Sequence, residues 1–378
     1  MNYKLRIWII CMFIVLLTTT CWADYAPDVI SESDTELTLV DMDGKSVTIP
    51  KHVDKIVAVG FGFIEGTLYA LGAQDTLVGT GGGIRSNVTA DYLIPTLREL
   101  PNAGSPIDGI NLETIAAINP DLVIVRKNVY FKEKTDKAVE MIEGLGIPVV
   151  VLMDPNNFHT SDIDTIYQEI ALLGTIVGKE EKAKELIDKI DARVSQIVER
   201  TEGIEDKDKP AVLFTGLGSS STRDKGGVLV VWAKECASTF ANLINIQSAY
   251  DGEGRNVLSA EQVLQLDPDV IILETSSGGY NISQIYDEDY YKNIQEVSAI
   301  KDKKVYTIGK LTSCGDIQLD LPIILLIEAK GTYPEKFSDI NVSEWIEEYY
   351  MDIFGISKDM AKELKNTQGL EWVDTYGF

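Results

Sequence analysis

One phrase occurs twice. Asn111–Val125 reads NLETIAAINPDLVIV, and Leu258–Leu273 reads LSAEQVLQLDPDVIIL. Each runs from an acidic residue through an apolar helical patch to Asn or Asp, then Pro-Asp, then four apolar residues. The residue before a proline avoids the helical region, so each helix must stop at Asn119 or Asp267. The apolar run that follows has no polar face to offer to water, which predicts a strand buried on both sides. Asp121 and Asp269 then start their strands, where turn-making and capping account for them. A chain that must bury two such units, far apart in sequence, is led toward two α/β lobes, each with a mostly parallel sheet covered by helices.

The rest of the pattern fits that frame. ELTLVDMDGKSVTIP predicts a hairpin turning at Asp43-Gly44. KIVAVG, TLVGT, DLVIV and IPVVVL predict buried strands, and FIEGTLYALGA and KTDKAVEMIEGLG predict the helices between them. The chain then changes character. DTIYQEIALLGTIVG and KEEKAKELIDKIDARVSQIVER predict two helices, the second with Leu186, Ile190, Val194 and Ile197 on one face and a length of about 33 Å. Then the first pattern restarts: KPAVLFTGLG matches DKIVAVGFG, Val228–Ile244 reads as a helix, and KKVYTIG supplies a last strand. The reading is α/β, with two Rossmann-like lobes joined by a long rigid α-helix. The expected divisions are a signal peptide over 1–23, a linker over 24–36 and an N-terminal lobe over 37–158. A connecting helical region follows over 159–203, a C-terminal lobe over 204–337 and a helical tail over 338–378.

The first residues stand outside the fold. MNYKLR is basic, IWIICMFIVLL is apolar and TTTCWAD ends in small residues, which is the three-part pattern of an export signal. Two readings of Cys21 stand. It is a site of lipidation, although Thr18 occupies the position where a lipobox has Leu, or it is removed by cleavage after Ala23. Cys236 and Cys314 remain in the exported chain, where an oxidising compartment permits a disulfide between them; the other reading is two unrelated small apolar residues. His52 and His159 are the only histidines, and there is no CxxC, which argues against a zinc site. With 34 basic against 59 acidic residues the net charge is −25, which argues against sequence-independent nucleic-acid binding.

Ligands of open parallel sheets bind beyond the carboxyl ends of the strands. The loops predicted there are rich in Gly, Ser, Asn and aromatic residues. Candidate ligand contacts are Phe61, Arg85, Asn128, Tyr130, Arg223, Trp232 and Tyr280. Arg85 and Arg223 lie in a glycine-containing loop of each lobe and are placed to clamp an anion from both sides. No GxSxG elbow and no phosphate-binding loop is present, and no nucleophile or orienting partner can be named for His159, so no catalytic residue is expected.

In this order, LVDMDGKSVTIP, KIVAVGFGFIEGTLYALGA, the two Pro-Asp units, the helical region between the lobes and IEAKGTYPEKF resemble the extracytoplasmic substrate-binding proteins of ABC importers. The likeness is to the helix-linked class that carries iron–siderophore, haem and corrinoid complexes, and it covers Leu37 to Phe337. The resemblance implies a monomer that captures a metal chelate outside the membrane, with a corrinoid or haem as the alternative. It also implies partners, a permease and its ATPase, met at the membrane through docking or a lipid anchor. No cofactor of the protein's own is implied. One glutamate on each lobe is expected to dock the permease; the matching positions are Glu99 and Glu235. An oxyanion as ligand, and a chelatase-like enzyme, rank lower.

Overall fold

The computed structural model describes residues 22–82, 87–128, 131–155, 162–231, 240–275, 279–312 and 318–378. The two Pro-Asp units fold alike within it. The helices Leu112–Ile118 and Ala260–Leu266 both end on a residue in the left-handed conformation, Asn119 (φ 50°) and Asp267 (φ 38°). The aspartate after each proline turns back on the neighbouring strand. Asp121 Oδ2 accepts from the backbone N–H of Asp54 and Lys55, at 3.0 and 2.9 Å, and Asp269 Oδ2 accepts from Ala211 at 2.8 Å. These bonds fix the register of two parallel strands before their ladders begin, which is why the unit recurs.

In the N-terminal lobe, strands β4 (Ile56–Val59), β5 (Leu77–Thr80), β6 (Leu122–Lys127) and β7 (Val149–Met153) form one parallel sheet in the order β5-β4-β6-β7. Ahead of it, β1 (Val29–Glu32), β2 (Glu36–Val40) and β3 (Ser46–Pro50) make an antiparallel sheet. The hairpin turns with Gly44 at φ 79°, a conformation that suits glycine. Strand β1 comes from the stretch expected to be a linker. All four of its residues are exposed, so no apolar alternation marked it.

In the C-terminal lobe, β8 (Ala211–Leu217), β11 (Val270–Thr275) and β12 (Val305–Thr312) are parallel. Two antiparallel strands, β9 (Gly227–Val231) and β10 (Asn256–Ser259), extend that sheet in the order β10-β9-β8-β11-β12. Here the sequence expectation needs correcting, because the start of the stretch read as a helix from Val228 is strand β9. Three of its residues are valines, whose stiff side chains suit a pleated surface, and all five are buried. Residues 232–239 of the same stretch lie outside the described residues.

Between the lobes run α5 (Ile163–Ile176) and α6 (Glu180–Thr201). Leu186, Ile190, Val194 and Ile197 of α6 are buried, as their spacing predicted. The two helices meet closely at their turn, where a Cβ added to Gly174 would stand 2.4 Å from that of Ala183. Helix α6 packs against α8 (Leu321–Thr332) of the C-terminal lobe and α9 (Val342–Phe354) of the tail. One continuous apolar core therefore runs from Leu39 and Ile56 in the first lobe through α5, α6 and α9 to Ile271 and Val305 in the second, and a smaller one, with Val57 and Val123, lies within the first lobe. The tail continues through α10 (Lys358–Thr367) and α11 (Trp372–Tyr376), and Arg193 and Arg200 of α6 reach it through ion pairs with Asp352 and Asp339.

Candidate ligand-binding cleft

The parallel strands of both lobes release their chains at carboxyl ends marked by Gly60, Gly81, Asn128, Asp154, Gly218 and Thr312. In the first lobe two glycines there have close neighbours. A Cβ on Gly62 (φ 112°) would fall 2.3 Å from the Asn87 side chain, and one on Gly81 would lie 3.2 Å from the Gly60 carbonyl. Asn87 Oδ1 accepts from the Ala90 N–H at 2.7 Å and so caps α2 (Val88–Leu93). The loop after β4 and the start of α2 are thereby set against each other. Facing them from the other lobe are the end of β12 and the turn leading into α8. A polar recess of about 20 Å³ lies between, lined by Phe61, Asn87 and Thr89 on one side and Lys310, Gln318 and Asp320 on the other.

Beneath the first lobe's half of the cleft sits a buried charge network. Arg126, on β6, donates from Nε to Glu169 Oε1 and from Nη2 to Glu169 Oε2, both at 2.7 Å, and pairs with Asp154 at 3.1 Å. All three side chains are almost wholly buried, and the guanidinium lies 4.0 Å from the centroid of Phe63. Next to it Lys127, equally buried, pairs with Asp136 and, at 2.8 Å, with Asp43 of the hairpin turn. Burial disfavours the Lys127 charge, but the two aspartates outweigh it and raise the pKa above the ordinary lysine value. The sequence carried a signal for this network. RKN follows LVIV, and two cations at the end of a strand buried on both faces require carboxylates.

The residues singled out from sequence fall in different places. Phe61 is half-buried and lines the interlobe recess. Asn128 is buried where β6 ends. Arg223 is held within its own lobe: Nε donates to the Gly218 carbonyl at 2.8 Å, Nη2 to the Tyr291 hydroxyl at 2.9 Å, and Nη1 pairs with Glu288 at 3.0 Å. Tyr280 lines a different hollow, about 530 Å³, between the C-terminal lobe and Trp372 and Tyr376 of the tail. Glu99 is exposed at the end of a short 3-10 helix, Pro95–Glu99. Arg85, Tyr130, Trp232, Glu235, Cys236, Cys314, Cys21 and His159 lie outside the described residues. Sequence reasoning missed Thr89, Lys310, Gln318 and Asp320, because nothing local marks a threonine or an aspartate as facing another lobe. Among the described residues there is no group of three or more His, Cys, Asp or Glu side chains that could hold a metal ion. None of the described helices is long and apolar enough to cross a membrane.

This architecture, two parallel-sheet lobes bridged by helices with a recess between them, is matched by a family model described as periplasmic binding protein, over residues 57–311. The chain belongs to the periplasmic binding protein family. Its members are transport substrate-binding proteins, and this chain is one. The molybdate-binding protein MolA of Haemophilus influenzae is 23% identical over 337 residues, which span 84% of this chain and 91% of MolA. The structure of MolA bound to molybdate superposes with a TM-score of 0.67, at 19% identity, over 85% of this chain and 98% of that one. A periplasmic solute binding protein from Veillonella parvula gives a TM-score of 0.72 at 18% identity, over 90% of this chain and 99% of its own. The ferric-anguibactin-binding protein FatB of Vibrio anguillarum is 26% identical over 204 residues, 52% of this chain and 58% of FatB.

Proposed function

We propose that this protein is the solute-capturing component of an ABC importer and that it holds a metal chelate of the ferric-siderophore kind in the interlobe cleft. It works outside the membrane and hands the solute to a permease driven by an ATPase. The family match supports this most strongly, because it spans both lobes and the cleft between them. The likeness to FatB favours a ferric chelate as the solute. A second reading is a molybdate-type oxyanion, favoured by the likeness to MolA along 91% of that protein.

Molybdate is an anion and ferric siderophores are often anionic too, so in a chain of net charge −25 the cations that hold such a solute must be supplied locally. Arg85 is proposed to supply one from the first lobe. Arg223 is proposed to supply the other, at the cost of loosening its pair with Glu288. Glu99, exposed on the first lobe, and Glu235 on the second are proposed to meet arginines of the permease, where charge complementarity sets approach and register.

Calorimetric titration separates the two solutes. The protein, cut after Ala23, is titrated with ferric hydroxamate and catecholate siderophores, haem, cobalamin, molybdate and tungstate. The first reading expects saturable one-to-one binding of a ferric chelate and none of molybdate. Binding of molybdate and tungstate alone establishes the second reading in its place. With the solute that binds, Arg85→Ala is expected to lose about 10- to 150-fold in affinity, the worth of a charged hydrogen bond of about 1.5–3 kcal/mol. Arg223→Ala is expected to lose less, since its guanidinium already serves Glu288 and Tyr291.

A further inference from the structure

At the back of the recess, three buried side chains from three parts of the molecule meet. Thr89 of α2 donates from Oγ1 to Asp320 Oδ2 at 2.9 Å, across the gap between the lobes. Gln368, just after α10 of the tail, donates from Nε2 to the same threonine oxygen. The exposures are 5% for Thr89, 3% for Asp320 and 2% for Gln368. The backbone closes around them, for the Lys310 N–H donates to the Gln368 carbonyl at 2.7 Å and ties β12 to the tail. A second pair, Tyr92 with Glu363 at 2.9 Å, joins α2 to α10 at the surface.

Asp320 is poorly provided for as an anion. Among the described residues, the groups that face it are the hydroxyls of Thr89 and Tyr350, with Tyr349 next in line, and none of the described cations pairs with it. Lys310 lines the same recess, but its ammonium donates to the Thr367 carbonyl at 2.8 Å. Asp320 Oδ1 and the Tyr350 hydroxyl are both buried and interact, yet neither makes a hydrogen bond of good geometry. A neutral carboxyl would put a proton on Oδ1 to donate to Tyr350, while Oδ2 kept the bond from Thr89.

We propose that Asp320 is a protonation-controlled latch between the two lobes. Neutral, it joins the first lobe, the second lobe and the tail; ionised, it is a buried charge that parting the lobes would release to water. Burial pushes its carboxyl up to about 6, against the hydrogen bond from Thr89 and the nearby Tyr350 hydroxyl, which pull it down. Because the closed-state value is raised, the latch contributes fully below the ordinary value of 3.8 and loses its hold as the pH rises through about 6. A protein working outside the cell meets such pH changes directly.

The test is urea denaturation of the wild type and of Asp320→Asn between pH 4 and 7.5, with amide exchange measured over Val88–Leu93 and the first turn of Leu321–Thr332. The expected result is that the wild type loses stability relative to the variant across that range. The loss should approach a hundredfold in the folding equilibrium, the two or so pH units that separate about 6 from 3.8. Other buried acids, such as Glu328 raised by burial and by Glu274, titrate in both proteins and cancel. Parallel pH curves overturn the proposal. Thr89→Val keeps the carboxyl and removes its cross-lobe donor, and serves equally if the asparagine variant does not fold. It is expected to speed exchange in both segments at least tenfold at pH 5, where the carboxyl is neutral and the latch engaged, and by less at pH 7.5, while the rest of each lobe stays protected. Unchanged exchange in Thr89→Val also overturns the latch.

Discussion

Replacing Arg126 with methionine is expected to destabilise the first lobe by about 3–5 kcal/mol at neutral pH, the cost of breaking a buried ion pair by removing one partner. Glu169 and Asp154 would be left in the interior without the guanidinium that neutralises them. The aliphatic replacement keeps most of the side-chain volume, so the loss reports charge more than packing. Urea titration at pH 7.5 measures the loss. A loss below about 1 kcal/mol, of the size seen for exposed pairs, would show that the network does not hold the lobe together. The result bears on function because Arg126 and Asp154 lie directly under the cleft end of the sheet.

Lys365→Met should act in the same way on the tail. The Lys365 ammonium is wholly buried and donates to Glu347 and Asp374, each at 2.9 Å, and to Ser343. It thereby joins α9, α10 and the final helix in one clasp. The expected cost is about 3 kcal/mol, at the lower end for a buried pair because Asp374 keeps contact with water. Partial burial would raise the Asp374 carboxyl, but the bonds from Ser343 and Lys365 outweigh it and hold it below the ordinary 3.8. The contribution of Asp374 is therefore present above that value and is lost as the pH falls through the lower folded one. Amide exchange should rise first across Val342–Phe354 and Lys358–Thr367. A variant whose tail stays as protected as the wild type would show that apolar packing by Tyr349, Tyr350 and Leu364 suffices.

Those two networks mark where sequence reading succeeds and where it stops. Buried parallel strands were legible because a strand covered on both faces has to be apolar throughout, as LVIV and VIIL are. Helix α6 was legible because four apolar residues recur on one face. Strand β9 was not, since a short apolar run does not by its periodicity separate a strand from a buried helix. Strand β1 was not, because an exposed strand leaves no apolar pattern. Long-range partners were least legible. Arg223 reads as a free cation in a glycine loop, but Glu288 and Tyr291, more than sixty positions later, come to meet it. Nothing in the local sequence marks Asp320, and only the assembled lobes show that it faces Thr89.

This chain is proposed to capture a metal-bearing solute between its lobes and to release it unchanged to a transporter. Native mass spectrometry of the exported form, mixed with each member of the ferric chelate, haem, corrinoid and molybdate panel, tests it most directly. The expected result is one protein molecule carrying one solute, with the metal's isotope pattern in the mass increment, and solute of unaltered mass on release. No increment with any member of the panel, or a solute recovered without its metal, would contradict it.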